Sequence, residues 1–313
     1  MPRLPRVSVI IPVFNLAPYV AETLDSLFRQ TYGDFEAIVV NDGSTDRTEE
    51  ALEPFRGRIV YRRQENRGVM AARNAGLRAA RGELIALLDG DDLWMPDCLR
   101  TLVGMLDADS GADVAFPNAV FFGSPRFDGR LHQEVFAVNQ PITFDRLLRR
   151  ETHVFGSLVF RRRVLTEIGE FDESLAGQGA EDYDLWLRML RHGCRFIFTS
   201  EALVKYRWRS NSLSNSGVGL LRCLISVYDK LLRRGDLTVE QDVWVREHLP
   251  RLSADLHLAR FREALRDRRD REAREFLALA NDYFQRPKLS LLRIAMRISP
   301  ALVRFVDKIC VLL

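Results

Sequence analysis

The stretches VSVIIPVFN (residues 7–15), FEAIVVNDGSTD (35–46) and ELIALLDGDD (83–92) share one pattern, an apolar run followed directly by polar residues. Helical patterns lie between them, so strand and helix signals alternate through the first 90 residues. Such alternation predicts an α/β fold, with a Rossmann-like and mostly parallel sheet and helices on both faces. Ligands of such sheets bind at the carboxyl ends of the strands, where the three polar clusters are expected to meet.

The 313-residue chain is long enough for one large domain and an appendage. Beyond residue 215 the pattern is almost wholly helical, which predicts a domain at 1–215 and an α-helical C-terminal region at 216–313. That region carries 19 Lys and Arg against 13 Asp and Glu, whereas residues 1–215 carry 27 against 30. A basic region behind a near-neutral domain suggests an anionic surface as its neighbour.

Cysteine spacing and hydropathy indicate a cytoplasmic protein. The four cysteines are far apart and form no CxxC pair, which favours free thiols in a reducing compartment over a zinc site or a disulfide framework. The apolar run at 7–14 is short and contains Pro12, so it is interpreted as a strand and not as a signal peptide. No stretch of 18 uncharged apolar residues occurs, so a membrane-spanning helix is not expected.

The carboxylates of Asp89, Asp91 and Asp92 stand within four residues and repel one another unless a cation lies among them. Oxygen ligands suit Mg²⁺ or Mn²⁺, which keep water ligands and bridge to substrate phosphates. The cluster therefore suggests a metal that stabilises a diphosphate leaving group. The alternative is an acidic turn that caps the following helix.

Three further positions are candidates, each with a structural alternative. Asp42 ends a buried strand and can accept hydrogen bonds from a nucleobase or ribose, or its turn can merely cap a helix. Arg73 lies on an Ala-rich helix and can pair with phosphate, or it can be a surface arginine. Glu181 and Asp182 begin a helix, where a carboxylate can act as a general base or simply complement the helix dipole.

Other nucleotide-binding patterns are missing from the sequence. No GxGxxG follows the first strand, which disfavours a dinucleotide dehydrogenase, and no GxxxxGK[ST] occurs, which disfavours a P-loop NTPase. A nucleotidyltransferase would need a Gly-rich, Arg-containing loop after the first strand, and this strand ends instead at Pro12-Val13-Phe14-Asn15.

Five motifs, taken in their order along the chain, carry a resemblance to a known family that none of them carries alone. Together they closely resemble the family-two inverting glycosyltransferases of the GT-A fold, over about residues 6–215. The motifs are Ile10–Asn15, Asn41–Asp46, Ala72–Gly76, Leu88–Asp92 and Glu181–Trp186.

This resemblance implies a metal-dependent transfer of a sugar from a nucleotide-diphosphate sugar, most commonly a UDP-sugar, to an acceptor hydroxyl. Asp89 and Asp91 would bind Mn²⁺ or Mg²⁺, and Asp182 would be the general base of an inverting reaction, whose logic parallels inverting hydrolysis. The implied acceptor is a saccharide or a lipid-linked saccharide, in the synthesis of a bacterial cell-surface polysaccharide or glycolipid. The implied donor-binding residues are Pro12, Phe14, Asn15, Asp42, Arg73, Asp89, Gly90 and Arg209.

One position departs from the family pattern. In Lys205–Ser212, Arg209 stands where the family often has a His that helps to bind the metal or the diphosphate. Arginine cannot ligate a metal but can pair with phosphate, so the departure puts the metal's ligand set in doubt. The alternative function is a catalytically impaired nucleotide-sugar-binding or scaffolding protein.

The C-terminal pattern, Lys288–Leu313, predicts an amphipathic helix with Arg293, Arg297, Arg304 and Lys308 on a narrow strip beside a broad apolar face. Such a helix suits an anionic membrane surface, which would make the protein peripheral on the inner face of the cytoplasmic membrane. The alternatives are burial within the appendage or in a homo-oligomer interface. Nucleic acid is not an expected partner, because acidic residues interleave with the arginines of 260–274 and no aromatic platform accompanies them.

Overall fold

A computed structural model describes residues 3–123, 127–209, 217–301 and 303–304. The chain forms two compact units, and each is described by itself. The sheet unit comprises Met1–Ser174 and Glu181–Ser212, and the helical unit comprises Leu175–Ala180 and Leu213–Leu313. The boundary predicted between residues 215 and 216 lies outside the described residues.

The sheet unit contains an eight-stranded sheet of order β3-β2-β1-β4-β7-β6-β8-β5. Strands β1 to β4 are mutually parallel, β7 is antiparallel to both its neighbours, and β6 runs parallel to β8. This confirms the predicted α/β class. The strands are β1 (Val7–Val13), β2 (Phe35–Asn41), β3 (Ile59–Arg63), β4 (Leu84–Leu87), β5 (Leu93–Trp94), β6 (Val114–Phe122), β7 (Val159–Arg161) and β8 (Phe196–Arg207).

Strands β1 and β2 are formed by the most continuously apolar stretches of the sequence. Every residue of β1 is buried, and β2 is buried from its second residue onward. Strands that are covered on both faces show such unbroken apolar runs, which is why the sequence marks them clearly. The sheet unit's helices are α1 (Val20–Phe28), α2 (Thr48–Leu52), α3 (Val69–Ala79), α4 (Cys98–Ala108), α5 (His132–Val135), α6 (Phe144–Leu148), α7 (Val164–Ile168) and α8 (Glu181–Arg191).

The helical unit contains α9 (Gly217–Arg234), α10 (Val239–Arg266), α11 (Asp270–Phe284) and α12 (Pro287–Ile298). A capping box of Thr238 and Gln241 starts α10 and satisfies backbone N–H groups that a helix start leaves open. Phe261, Leu265 and Leu277 are buried in a shared core that α12 completes with Leu289 and Met296. The core gives the unit its own hydrophobic interior.

The segment 175–180 packs on α9. The backbone N–H of Ala176 donates to the hydroxyl of Ser226, and Gly177 has a φ of +89°. A Cβ at Gly177 would lie 2.4 Å from the carbonyl oxygen of Gly219. Glycine is therefore required there both by the backbone conformation and by the close approach of the two backbones.

The predicted helix over Lys288–Leu313 is wrong as a single element, because α12 ends at Ile298 and Ser299 is extended with a φ of −154°. Ser299 precedes Pro300, whose ring disfavours the helical conformation of the preceding residue. A helical stretch resumes at Pro300, and residue 302 and residues 305–313, with Lys308, lie outside the described residues. The predicted basic strip is therefore not carried by one continuous helix.

Within the part of the chain that the structure describes, Cys98, Cys194 and Cys223 are buried and form no disulfide, and Cys310 lies outside that part. Burial raises the pKa of the Cys194 thiol to about 11, which keeps it protonated at neutral pH. Among the described residues, no helix is both long and apolar enough to cross a membrane.

Candidate active site

The loops after β1, β2 and β4 meet at one edge of the sheet. These strands are parallel neighbours with β1 in the centre, so their carboxyl ends lie side by side. The three polar clusters predicted from the sequence are therefore brought together. What holds them is a set of hydrogen bonds between loops that are far apart in the chain.

Asn15 joins the first two loops. It has a left-handed φ of 52°, a conformation that Asn tolerates better than most residues. Its Oδ1 accepts from the backbone N–H of Thr45 at 2.8 Å, and its own N–H donates to the hydroxyl of Ser44 at 3.0 Å. The Asn15 side chain thus fixes the Asn41–Asp46 turn against the end of β1.

Asp42 is buried, and its carboxylate is engaged within the protein. Oδ1 accepts from Gln64 Nε2 at 2.8 Å and from the Arg67 N–H at 3.0 Å, while Oδ2 accepts from the Gly68 N–H at 2.8 Å. Gly68 is the N-cap of α3, so Asp42 anchors the start of the helix that carries Arg73. The nucleobase contact of Asp42 stays a prediction.

Gly90 allows the Asp89–Asp92 turn to lie directly on the end of β1. A Cβ at Gly90 would stand 2.8 Å from side-chain carbons of Leu16 and Val13 and 2.9 Å from the Pro12 carbonyl oxygen. Pro12 is buried, whereas Phe14 is exposed beside it. The turn and the end of β1 therefore form one continuous surface.

Arg73 is buried, so its interpretation as a surface arginine is wrong. Its side chain is 6% exposed, and it joins two carboxylates that lie far apart in the sequence. Nη2 donates to Asp89 at 2.8 Å and Nη1 donates to Glu181 at 2.7 Å. Burial lowers the pKa of Arg73, but Asp89, Glu181 and Asp182 outweigh it and raise that pKa overall, so the guanidinium stays charged.

Asp182 lies beside Glu181 at the start of α8. Burial, followed by the charge of Glu181, raises the pKa of Asp182 to about 7, while Arg73 acts in the opposite direction. Its Oδ1 accepts from the N–H of Tyr183 at 2.8 Å. Gly156 lies beside the other carboxylate oxygen of Asp182. A Cβ at Gly156 would lie 3.2 Å from Asp182 Oδ2, so the glycine leaves room at that oxygen. A carboxylate with a pKa near neutrality is suited to accept a proton.

Asp91 forms an ion pair with Arg209, whose Nη2 lies 2.6 Å from Asp91 Oδ2. Burial, and then the neighbouring charge of Asp89, raise the pKa of Asp91, against the lowering effect of Arg209. The guanidinium carbon of Arg209 also lies 5.0 Å from the centre of the Tyr19 ring. Arg209 thus reaches the site that the sequence assigned to it, but its partner is a carboxylate of the turn.

Asp92 differs from its two neighbours, since it is buried and accepts from the Arg207 N–H at 2.9 Å. Burial, and then the charges of Asp91 and Asp89, raise the pKa of Asp92 well above its usual range. Arg207 Nε also donates to the Asp91 carbonyl oxygen at 2.8 Å. Arg207 therefore ties the end of β8 to the turn, a role that no sequence pattern assigned to it.

Asn74, next to Arg73 on α3, was also not singled out by the sequence. Its Nδ2 donates to the carbonyl oxygen of Phe171 at 2.8 Å, and its Oδ1 accepts from the Phe171 N–H at 2.9 Å. The Arg73 guanidinium carbon lies 5.3 Å from the centre of the Phe171 ring. Asn74 thereby fixes the segment against which Arg73 packs, and its place in the Ala72–Gly76 motif was the available signal.

The residues fit a metal that substrate phosphates help to hold. Asp89 and Asp91 offer carboxylate oxygens, the ligands that Mg²⁺ and Mn²⁺ prefer. Within the described ranges, no group of three or more His, Cys, Asp or Glu side chains is arranged to bind a metal. Two carboxylates and the phosphates of a substrate together match the usual Mg²⁺ site, in which the protein supplies few ligands.

Two solved structures share the fold of this chain. TarS of S. aureus in complex with UDP-GlcNAc has a TM-score of 0.61 and 21% identity, over 94% of this chain and 87% of that chain. The mannosyltransferase PcManGT of Pyrobaculum calidifontis, in complex with GDP-Man and Mn²⁺, has a TM-score of 0.59 and 21% identity, over 99% and 88%. The predicted fold is confirmed: this is a GT-A glycosyltransferase fold.

The sequence profile of glycosyl transferase family 2 matches residues 8–169, and that of glycosyltransferase like family 2 matches residues 124–228. An uncharacterized glycosyltransferase of Rickettsia typhi is 30% identical over 262 residues, which are 80% of this chain and 79% of the relative. The chain belongs to glycosyl transferase family 2, and its class of activity is glycosyl transfer.

Proposed function

We propose that this enzyme transfers a sugar from a nucleotide-diphosphate sugar to an acceptor hydroxyl, with a divalent metal and with inversion at the anomeric carbon. One observation carries the proposal: Arg73 contacts both Asp89 and Glu181, and Glu181 adjoins Asp182. A candidate metal ligand and a candidate base thus belong to one charge network. A transferase needs both groups close to the anomeric carbon.

The donor lies at the edge where β1, β2 and β4 end. Pro12, Phe14 and Asp42 surround the nucleobase, and Asn15 and Gly90 hold the loops that form its pocket. The structural neighbours were solved with UDP, UDP-GlcNAc and GDP-Man, which supports a nucleotide-sugar donor. We favour a UDP-sugar.

Asp89 and Asp91 would hold Mn²⁺ or Mg²⁺, which would supply positive charge to neutralise the diphosphate leaving group. Mn²⁺ is named with the PcManGT structure, which supports a metal of this kind. Arg73 holds Asp89 in place from the interior, and Arg209 supplies further positive charge on the diphosphate side.

Asp182 removes the proton of the acceptor hydroxyl, which attacks the anomeric carbon from the side opposite the diphosphate. One displacement inverts the configuration, so a single carboxylate base is enough. The pKa of Asp182, raised to about 7 by burial and Glu181, makes its carboxylate a stronger base than an ordinary aspartate. Glu181 is bound to Arg73 and stays a positioning residue.

The acceptor is a saccharide or a lipid-linked saccharide, and the product is a cell-surface polysaccharide or glycolipid of a bacterium. Contact with an anionic membrane on its cytoplasmic face would suit a lipid-linked acceptor. On α12, Leu291, Ile294 and Ile298 are 66%, 56% and 79% exposed, which supplies an apolar face for that contact. Arg293 lies 3.5 Å from Asp282, and Arg304 pairs with Asp270, so part of the basic charge is balanced within the unit.

Liposome flotation tests the membrane contact. The full chain is compared with a variant in which Leu291, Ile294 and Ile298 are replaced by Gln, on vesicles with and without anionic lipid. We expect flotation of the full chain on anionic vesicles and its loss in the variant. Equal behaviour of both proteins would contradict the membrane contact. A change of oligomeric state in the variant would instead assign the face to a second copy of the chain.

A donor screen tests the function itself. Purified protein with Mn²⁺ or Mg²⁺ is offered a panel of nucleotide sugars, each with saccharide and lipid-linked acceptors, and release of the nucleoside diphosphate is measured. We expect turnover with at least one UDP-sugar and its loss on chelation of the metal. Nucleotide binding without turnover across the panel would favour a catalytically impaired binding protein, an alternative that the Arg209–Asp91 pair supports.

A further inference from the structure

We infer that Arg209 is paired with the carboxylate of Asp91 when no donor is bound, and that it moves to the diphosphate when the donor binds. The affinity for the metal then depends on the nucleotide. This inference rests on the proposed function, because it needs a diphosphate and a metal at the same site. It goes beyond that function in assigning Arg209 two successive partners, and in making the affinity for the metal depend on the bound nucleotide.

The starting point is the unequal state of the two candidate metal ligands. The Asp91 side chain is 14% exposed, and its Oδ2 lies 2.6 Å from Arg209 Nη2. The Asp89 side chain is 42% exposed, and its cationic partner Arg73 approaches from the buried side. A metal can therefore reach Asp89 directly, whereas at Asp91 it meets a guanidinium already in contact with the carboxylate.

A metal and a guanidinium compete for Asp91. Both are cations, and two positive charges a few ångströms apart repel each other strongly where water is partly excluded. In the donor-free state Arg209 neutralises Asp91 without a metal. Binding of a metal alone must break this ion pair and separate Arg209 from its carboxylate partner.

A diphosphate changes that balance. Arginine matches the geometry of phosphate as well as that of carboxylate, and it binds either through two parallel hydrogen bonds. When a nucleoside diphosphate is present, Arg209 exchanges one anionic partner for another, and Asp91 becomes available to the metal. Metal and nucleotide then each raise the affinity of the other by the same factor.

Arg209 contacts a carboxylate of the turn and an aromatic ring, whereas the two neighbouring arginines each join separate parts of the site. Arg73 is held between two carboxylates, and Arg207 is bound to both the Asp91 carbonyl oxygen and Glu22. Arg209 follows the end of β8 and stacks on Tyr19, which lies just before α1. The aromatic face stabilises the guanidinium through a cation–π contact, an attraction that does not depend on which anion Arg209 pairs with.

Binding of Mn²⁺ to the full chain tests the inference without any turnover. Free Mn²⁺ is measured by electron paramagnetic resonance during titration, in the absence and presence of saturating UDP or GDP. For the wild type we expect UDP or GDP to tighten Mn²⁺ binding at least tenfold. For Arg209→Gln we expect Mn²⁺ alone to bind at least fivefold more tightly than to the wild type, with the nucleotide effect reduced below threefold.

Matched variants keep the result interpretable. Arg163→Gln removes a different arginine–carboxylate pair, with Asp113, and should change neither binding curve. Arg209→Lys keeps the charge and should restore part of the nucleotide effect. Melting temperatures of all variants confirm that each is folded.

Two outcomes overturn the inference, and they are distinguishable. Equal Mn²⁺ affinity of the wild type with and without nucleotide, or no gain of Mn²⁺ affinity in Arg209→Gln, would contradict the exchange while leaving the donor site in place. Failure of the wild type to bind either nucleotide, with or without Mn²⁺, would contradict the proposed function and the inference together.

Discussion

The Asp89–Asp92 turn and the Glu181–Asp182 pair are both acidic, yet the protein balances their charges differently. In the turn, Asp89 and Asp91 each contact a guanidinium, from Arg73 and Arg209. In the pair, the guanidinium of Arg73 binds Glu181, and Asp182 accepts from a backbone N–H at 2.8 Å. In the turn, burial raises the pKa of Asp91 against the opposing charge of Arg209, which contacts that carboxylate directly. In the pair, burial and then the charge of Glu181 raise the pKa of Asp182 to about 7. Two regions with similar composition are thereby suited to different chemistry.

Removing the base should have the greatest consequence. Asp182→Asn keeps the shape of the side chain but cannot accept the acceptor proton. We expect the rate of transfer to fall by about 10²- to 10⁴-fold, the usual contribution of a general base, while binding of the nucleotide changes little. Rates are measured with saturating donor and metal, and nucleotide binding by calorimetry. Transfer within threefold of the wild type would remove Asp182 from the mechanism.

Next in size is the loss of the residue that connects the two regions. Arg73→Met leaves the buried carboxylate of Glu181 and one oxygen of Asp89 without their cation, and breaking such a buried pair costs about 3–5 kcal/mol. The free energy of unfolding in urea measures this cost. Arg78→Met, at an exposed pair with Glu170, is the control and should cost about 1 kcal/mol or less. Equal costs for both variants would contradict the linking role of Arg73.

A smaller effect is expected in the packing beneath the turn. In Gly90→Ala the new Cβ would approach Leu16, Val13 and the Pro12 carbonyl oxygen to less than 3 Å, so the turn must shift. We expect a loss of about 1–3 kcal/mol in stability, together with weaker nucleotide binding.

Gly104→Ala serves as the control for Gly90→Ala, since no atom lies within 4 Å of a Cβ there. Residue 104 lies inside α4, where Ala is favoured over Gly by about 1 kcal/mol. The control should therefore be neutral or stabilising. A Gly90→Ala protein as stable as the wild type, with unchanged affinity for nucleotide, would show that the close approach is not required.

The least pronounced effect concerns stability and pH. Because the pKa of Asp182 is raised to about 7, the folded protein retains a proton that the unfolded chain loses near pH 4. The contribution of Asp182 to stability therefore falls as the pH rises from about 4 to about 7. An asparagine at this position cannot become charged, so the Asp182→Asn protein does not lose this stability as the pH rises. Its melting temperature should exceed that of the wild type by a few degrees at pH 8 and differ little at pH 4.

Asp97→Asn, which replaces a carboxylate that is 61% exposed, is the control variant. Differential scanning calorimetry of the three proteins across this range measures the effect. An advantage of Asp182→Asn that is the same at both pH values would contradict the raised pKa.

The sequence was most informative where the chain is continuously apolar. Strands β1 and β2 and the clusters at their ends were predicted because buried parallel strands read as unbroken apolar runs. Strand β8 was missed, since much of it is half-buried or exposed, and its pairing with β6 shifts register near Asn118. Its neighbour β5 is only two residues long, so β8 has few of the features of a central strand.

Contacts between distant parts of the chain could not be predicted from one sequence. The bond from Arg73 to Glu181 spans 108 positions, and no local pattern records it. The pairing of Arg209 with Asp91 is equally non-local, although both residues had been singled out as candidates. The predicted C-terminal helix failed for a local reason, because Pro300 lies within the predicted range and disfavours helix at Ser299.

The stereochemistry of the product separates the proposed single displacement from a two-step reaction. A donor of known anomeric configuration is converted, and the coupling constant of the product's anomeric proton is read by NMR during the reaction. With one base at Asp182 and no covalent intermediate, the product must carry the inverted configuration. A product that retains the donor's configuration would require two displacements, and would contradict the assignment of Asp182 as the base and of Glu181 as its positioning neighbour.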